Sequence, residues 1–161
     1  YELAALATDD AIWDWDLLAN ALQWNPALHR VFGHHPENVN SAPQWWYSQI
    51  HPDDAERVVR GIHAAIDGDQ DSWQDEYGFR RADGSYARVL DRGHIVRDEQ
   101  GRATRMIGAV QDVTLERNAA AALRRSEEQF RFLAESMPQM VWTVEANGRV
   151  SYVNQRWIDY T

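Results

Sequence analysis

Residues 73–113 read WQDEYGFRRADGSYARVLDRGHIVRDEQGRATRMIGAVQDV, and the fold is decided here. Apolar and polar residues alternate from Trp73 to Arg81, which predicts a strand. Ala82-Asp83-Gly84-Ser85 then reads as a hairpin turn, Tyr86 to Val96 as the next strand, Asp98-Glu99-Gln100-Gly101 as a second turn, and Ala103 to Val113 as the last strand. Strands joined by such short turns run antiparallel, so this stretch is a three-strand meander.

Upstream, the same logic gives a hairpin followed by helices. Trp13, Trp15 and Leu17 share one face of a strand over Ala11 to Leu17, while Ile12, Asp14 and Asp16 share the other. Asn20 tolerates the left-handed turn that returns the chain through Leu22 to Trp24. Asn25-Pro26 is read as N-cap and first helical residue of a short helix that stops at Gly33, with Leu28, Val31 and Phe32 on its apolar side. A second short helix is expected within Ala42 to Ile50. After His51-Pro52-Asp53-Asp54 a longer one runs from Pro52 to Ile66, its apolar stripe being Val58, Val59, Ile62, Ala65 and Ile66. Five strands with helices inserted between the second and third make an α+β domain.

Shifting the chain by 129 positions lays its end on its beginning without a gap. Ala5, Trp13 and Asn25 fall on the identical Ala134, Trp142 and Asn154, and Tyr1, Leu3, Ala4, Ile12, Trp15, Trp24 and Leu28 fall on apolar residues. The expected organisation is therefore a domain over residues 1–114, a helical connector over 115–137, and the start of a second domain over 138–161. That start should be a hairpin around Asn147-Gly148 with a helix beginning at Asn154. The connector holds no Gly or Pro and carries four consecutive Ala. Ala119, Leu123, Ser126, Phe130, Leu133 and Met137 repeat at spacings of four and three, a heptad-like seam along which two copies would pair as a coiled coil. Ser126 with Gln129 also reads as a capping box that would restart the helix. Opening on Tyr1 and stopping in mid-pattern, the chain reads as an excerpt of a longer protein.

With 161 residues there is room for one well-buried core plus a fragment of another. A net charge of −9 opposes a nucleic-acid role, since phosphate contacts need clustered Lys and Arg. The absence of Cys excludes disulfides, thiolate metal sites and cysteinyl photochemistry. No stretch approaches the ~18 apolar residues of a membrane span, so the fragment is not expected to touch a membrane, and the expected compartment is the cytoplasm.

The ordered set Trp13-Asp14-Trp15-Asp16, Trp24-Asn25-Pro26 into Gly33, His51-Pro52-Asp53-Asp54, Arg80-Arg81-Ala82-Asp83-Gly84, Arg92-Gly93, Asp98-Glu99-Gln100-Gly101, and Gly108 with Asp112-Val113-Thr114 resembles the PAS family, in the PAS/PAC subtype known as PAS fold 3. The resemblance covers nearly all of residues 1–116. It implies a five-stranded antiparallel sheet of order 2-1-5-4-3 with helices over one face and a pocket between them. It also implies a sensory module, homodimeric and joined in the same chain to an output domain, with a histidine kinase first and a cyclic-di-GMP synthase next. Gly78 and Arg88 depart from it, standing where such domains often carry Arg and Trp. A small ligand carrier or enzyme is the reading from a different class.

No phosphate loop, nucleophile elbow or zinc-protease motif occurs, so there are no candidate catalytic or metal-binding residues. Pocket candidates are Trp13, Trp15, Trp24, His63 and Trp73. Trp side chains could stack a flavin and His63 could ligate haem iron, but aromatic rings at strand spacing are also simple core, and a histidine at the surface or at the boundary of the core needs no metal. The cofactor is left unassigned, with none expected to be visible. Asp112 and Thr114 sit where the last strand releases the helix, and with Leu123 and Phe130 they are the signal-transfer candidates.

Overall fold

The computed structural model describes residues 9–161, which fall into two units divided between Leu115 and Glu116. In the first unit β1 (Ala11–Asp16) and β2 (Ala21–Trp24) form the expected hairpin, with Asn20 at φ 54° in the turn. Helices α1 (Ala27–Phe32), α2 (Pro43–Gln49) and α3 (Pro52–Asp67) follow, with a 3-10 turn at Pro36–Asn38. The meander comprises β3 (Ser72–Arg80), β4 (Tyr86–Arg97) and β5 (Ala103–Asp112). All neighbours pair antiparallel and the sheet order is β2-β1-β5-β4-β3, as the resemblance implied. Helix α4 (Thr114–Ser136) leaves the sheet, and the second unit adds β6 (Trp142–Val144), β7 (Val150–Val153) and α5 (Gln155–Tyr160).

Alternation along the strands sorts the core. Trp13, Trp15, Tyr77, Phe79, Val89, Ile95, Met106 and Val110 are buried on the helix-covered face, against Leu28, Phe32, Trp46, Val58, Ile62 and Ala65. Each large apolar side chain so buried is worth roughly 1.5–3 kcal/mol. Two glycines make the Trp13 position possible. Gly93 and Gly108 are cross-strand partners, and Gly108 also faces Trp13. A Cβ on Gly93 would lie 2.7 Å from Trp13 Cη2, and one on Gly108 would overlap the same ring. The pair is a flat shelf under the indole.

Two expectations about caps are corrected. Asn25 does not cap α1, whose start has no side-chain cap. Its carboxamide oxygen accepts the Ile12 N–H (3.0 Å), and its NH₂ donates to the Asp10 carbonyl (3.3 Å). The chain is already turning away from β1 there, and the side chain supplies the ladder bond that the backbone no longer can. Ser126 does not restart the helix either, because α4 is uninterrupted from Thr114 to Ser136. Four Ala residues in its middle favour continuing over a costly second nucleation.

The start of α3 is tied down more firmly than its Pro and Asp residues alone suggest. His51 Nδ1 accepts the Asp53 N–H, Asp54 Oδ2 accepts the Gly78 N–H at 2.9 Å, and the His51 N–H donates to the Gly78 carbonyl at 2.8 Å. Gly78 is required for this approach, since a Cβ there would come within 2.9 Å of His51 Cβ.

Candidate functional site

The space between sheet and helices is nearly filled. A cavity of about 10 Å³ remains among Trp13, Trp15, Leu22, Trp24, Trp46 and Ile62, room for about one water. Trp73 does not line it and packs edge-on to Trp46. His63 Nε2 hydrogen-bonds the Tyr47 hydroxyl at 2.8 Å and the ring stands edge-on to Trp15. The nitrogen that would ligate iron is thus engaged, and neither a haem nor a flavin ring fits the cavity in this arrangement. A roomier open groove of about 280 Å³ lies on another side of Trp24, between β2, α1 and the 36–41 segment.

Beside the cavity lies a fully buried acid. Asp91 projects from β4, accepting the Trp13 indole N–H on Oδ1 (2.8 Å) and the Tyr77 hydroxyl on Oδ2 (2.7 Å), while Tyr77 accepts the Trp46 indole N–H (2.9 Å). The chain Trp46–Tyr77–Asp91–Trp13 links α2, β3, β4 and β1. Burial pushes the Asp91 carboxyl up to about 7, against the pull of its hydrogen-bond donors. Tyr77 is raised well above its ordinary range by the same burial and by the neighbouring carboxylate.

Where β5 becomes α4, three side chains and the backbone of β4 meet. Asp112 Oδ1 accepts the Thr114 N–H (2.9 Å) and the Thr114 hydroxyl. Arg81, from the β3–β4 turn, reaches Asp112 Oδ2 at 3.3 Å and Thr114 Oγ1 at 3.5 Å. Thr114 Oγ1 accepts the Arg88 N–H of β4 at 2.9 Å, and the Val113 N–H donates to the Arg88 carbonyl at 2.8 Å. Asp112 therefore holds the first helical N–H, as expected. Thr114 does something else: its oxygen clamps the helix start onto β4.

A sequence profile of the PAS fold matches residues 21–110, and one of the PAS domain matches residues 128–161. The chain belongs to the PAS family. Two-component sensor PprA of Pseudomonas aeruginosa is 30% identical over 112 residues, covering 69% of this chain and 12% of that protein. Among solved structures, a sensory box histidine kinase/response regulator from Burkholderia thailandensis superimposes with a TM-score of 0.67 at 28% identity, covering 81% of this chain and 96% of that one. The N-terminal domain of a diguanylate cyclase with PAS/PAC sensor from Marinobacter aquaeolei gives 0.61 at 25% identity, covering 67% and 98%. The chain is a PAS sensor module, and it spans only a small part of the curated sensor it matches.

Within this PAS module Trp13, Trp15 and Trp24 come together around the small cavity, whereas His63 and Trp73 pack behind its walls and do not line it. Asp112 and Thr114 meet directly. Leu123 and Phe130 lie on α4 with 62% and 46% of their surface exposed. The sequence reading missed Asp91, Arg81 and the backbone of Arg88. Period two on β4 does point to the first, since Ala87, Val89, Asp91, Gly93 and Ile95 share one face.

Second-unit geometry repeats that of the first at one point. Asn154 Oδ1 accepts the Val141 N–H at 3.0 Å, and the Asn154 N–H donates to the Val141 carbonyl at 3.0 Å. Asn25 and Ile12 make the same two bonds, 129 positions earlier. Asn154 additionally caps α5, accepting the Trp157 N–H. Among the described residues no helix is long and apolar enough to cross a membrane.

Proposed function

We propose that residues 1–114 are the complete sensory PAS domain, 115–137 a signalling connector, and 138–161 the opening of a second PAS domain in tandem. The chain carries no catalytic step itself and serves a cytoplasmic output domain in the same protein, a histidine kinase. The observation that carries this reading is the junction: strands of the sensing sheet hold the first residue of a 23-residue helix through Asp112, Arg81 and the Arg88 backbone. Anything that repacks the sheet acts on the helix start. A cyclic-di-GMP synthase is the second output, favoured by the likeness to the Marinobacter domain.

The connector pairs two copies. Leu123, Phe130, Leu133 and Met137 are exposed apolar residues at heptad-like spacing, and a partner helix would cover them. The segment before β1 joins the connector in this pairing as part of the proposal, and it falls within residues 1–8, outside the described residues. Leu123→Glu with Phe130→Glu puts charge into that seam and should weaken the dimer by a few kcal/mol at most. Sedimentation should show a dimer that becomes monomeric in the double variant, and in the full-length protein the variant should lose its response to stimulus. A wild-type monomer at working concentration contradicts the pairing, and an undiminished response in a monomeric variant contradicts the route through the connector.

A further inference from the structure

We propose that the input read by this module is the proton, taken up and kept by Asp91, whose rearranged hydrogen bonds are felt along β4 at the Thr114 clamp; this rests on the junction being the outlet proposed above. Trp46 and Trp13 can only donate, and Tyr77 spends its one proton on Asp91 Oδ2 while accepting from Trp46. While Asp91 is ionised, every donor of this chain has an acceptor. A proton arriving on Asp91 adds a donor, and among its hydrogen-bond partners, the Trp13 indole, the Tyr77 hydroxyl and the Arg92 backbone N–H, only the Tyr77 oxygen can accept it. If the new O–H takes that lone pair, the Tyr77 hydrogen loses its own partner.

Charge and hydrogen bonding therefore pull in opposite directions. Burial favours the neutral acid, the donors favour the carboxylate, and the two balance near neutral pH. The groups facing Asp91 are few. From β3 come the Tyr77 phenol and the Asp75 carboxylate, whose negative charge adds to the upward push and which is itself ion-paired with Arg57 of α3. From β1, α2 and β5 come Trp13, Trp46 and, opposite in the register, Val110, none of which titrates. No cation contacts the carboxyl among the described residues to pin it in the ionised form.

The protonated chain must reorganise at Tyr77 or Trp13, and the outlet is close by. Asp91 is cross-strand partner to Val110, and Val89 to Asp112. Arg88, whose N–H and carbonyl clamp Thr114 and Val113, is three residues from Asp91, about 10 Å along the same strand. A switch needs an element with two arrangements whose balance the input biases, and the four-residue chain supplies it.

The test is a pH titration from 5 to 9 of the whole chain, following the indole N–H resonance of Trp13 and the amide resonances of Arg88 and Thr114. All three should move together as one protonation centred near pH 7. Asp91→Asn, a neutral isostere, should flatten them. Tyr77→Phe, which removes a donor to the charged form, should raise the midpoint by about one unit. His34→Gln and His63→Gln, altering the histidines in ring contact with the core, should leave the Trp13 curve unchanged. A flat Trp13 resonance in the wild type, or a curve that survives Asp91→Asn or disappears with either histidine, overturns the proposal. If Trp13 titrates while Arg88 and Thr114 stay still, the proton is not the input, though the junction stands as the outlet for another.

Discussion

Gly108→Val should sharply lower the melting temperature of the first unit. The added Cβ would overlap both the Trp13 ring and the Arg92 carbonyl, and neither can yield, because one is a core indole and the other is backbone in the middle of the sheet. Overpacking of this kind costs about 3 kcal/mol or more, a large part of a typical domain's stability. A domain of this size loses about 4–8 °C of melting temperature per kcal/mol. The expected fall is thus at least about 12 °C. Gly101→Ala is the comparison. It also strains the backbone, with φ at 81°, but nothing lies within 4 Å, so its cost should stay near 1–2 kcal/mol. Equal melting temperatures for the two variants would contradict the Trp13 shelf.

Stability should fall as pH rises through neutrality, and Asp91 is the reason. Its folded value of about 7 lies above the ordinary 3.8, so its contribution is fully present below 3.8 and lost as pH rises through about 7. Three units correspond to about 4 kcal/mol in total, of which about 3 kcal/mol falls between pH 5 and 8. Asp54 acts the other way. Burial raises its carboxyl, but the Gly78 N–H and Arg57 more than reverse this, so its contribution is lost as pH falls through the acid range. His34 opposes Asp91 in the same window, since burial lowers it and favours the neutral ring at higher pH. Denaturant unfolding of wild type and Asp91→Asn at each pH removes that overlap, because His34 is common to both. The wild-type minus variant difference should drop by about 3 kcal/mol from pH 5 to 8; a constant difference would mean that Asp91 is not a buried acid poised near neutrality.

Much of this was legible in the sequence because strand and turn signals are local. The meander from Trp73 to Val113 is found as Ser72–Arg80, Tyr86–Arg97 and Ala103–Asp112, and Gly84 and Gly101 turn with the positive φ that their positions require. What stayed hidden depends on contacts distant in sequence. Asn25 looks like a cap until β1, thirteen residues earlier, is placed beside it. Thr114 looks like a helix-start residue until Arg88, twenty-six residues away, is seen to donate to it. Asp91 was within reach, as an acid in an inward register among apolar neighbours, but its partners Trp13 and Tyr77 come from two other strands. Whether aromatic residues enclose a pocket or fill it depends on how the rings interlock, which alternation alone does not specify.

The junction is tested most directly by output activity in the full-length protein carrying Asp112→Ala with Thr114→Ala. The pair removes the acceptor for the first helical N–H, the Arg81 ion pair and the clamp to Arg88, at roughly 0.5–2 kcal/mol per lost bond, so a thermal melt should show the domain still folded. Phosphoryl-transfer or cyclase rate, measured with and without stimulus, should become the same in both conditions, fixed high or low. A folded double variant whose output still responds like the wild type would contradict the account, because the signal would then leave the sheet by another path.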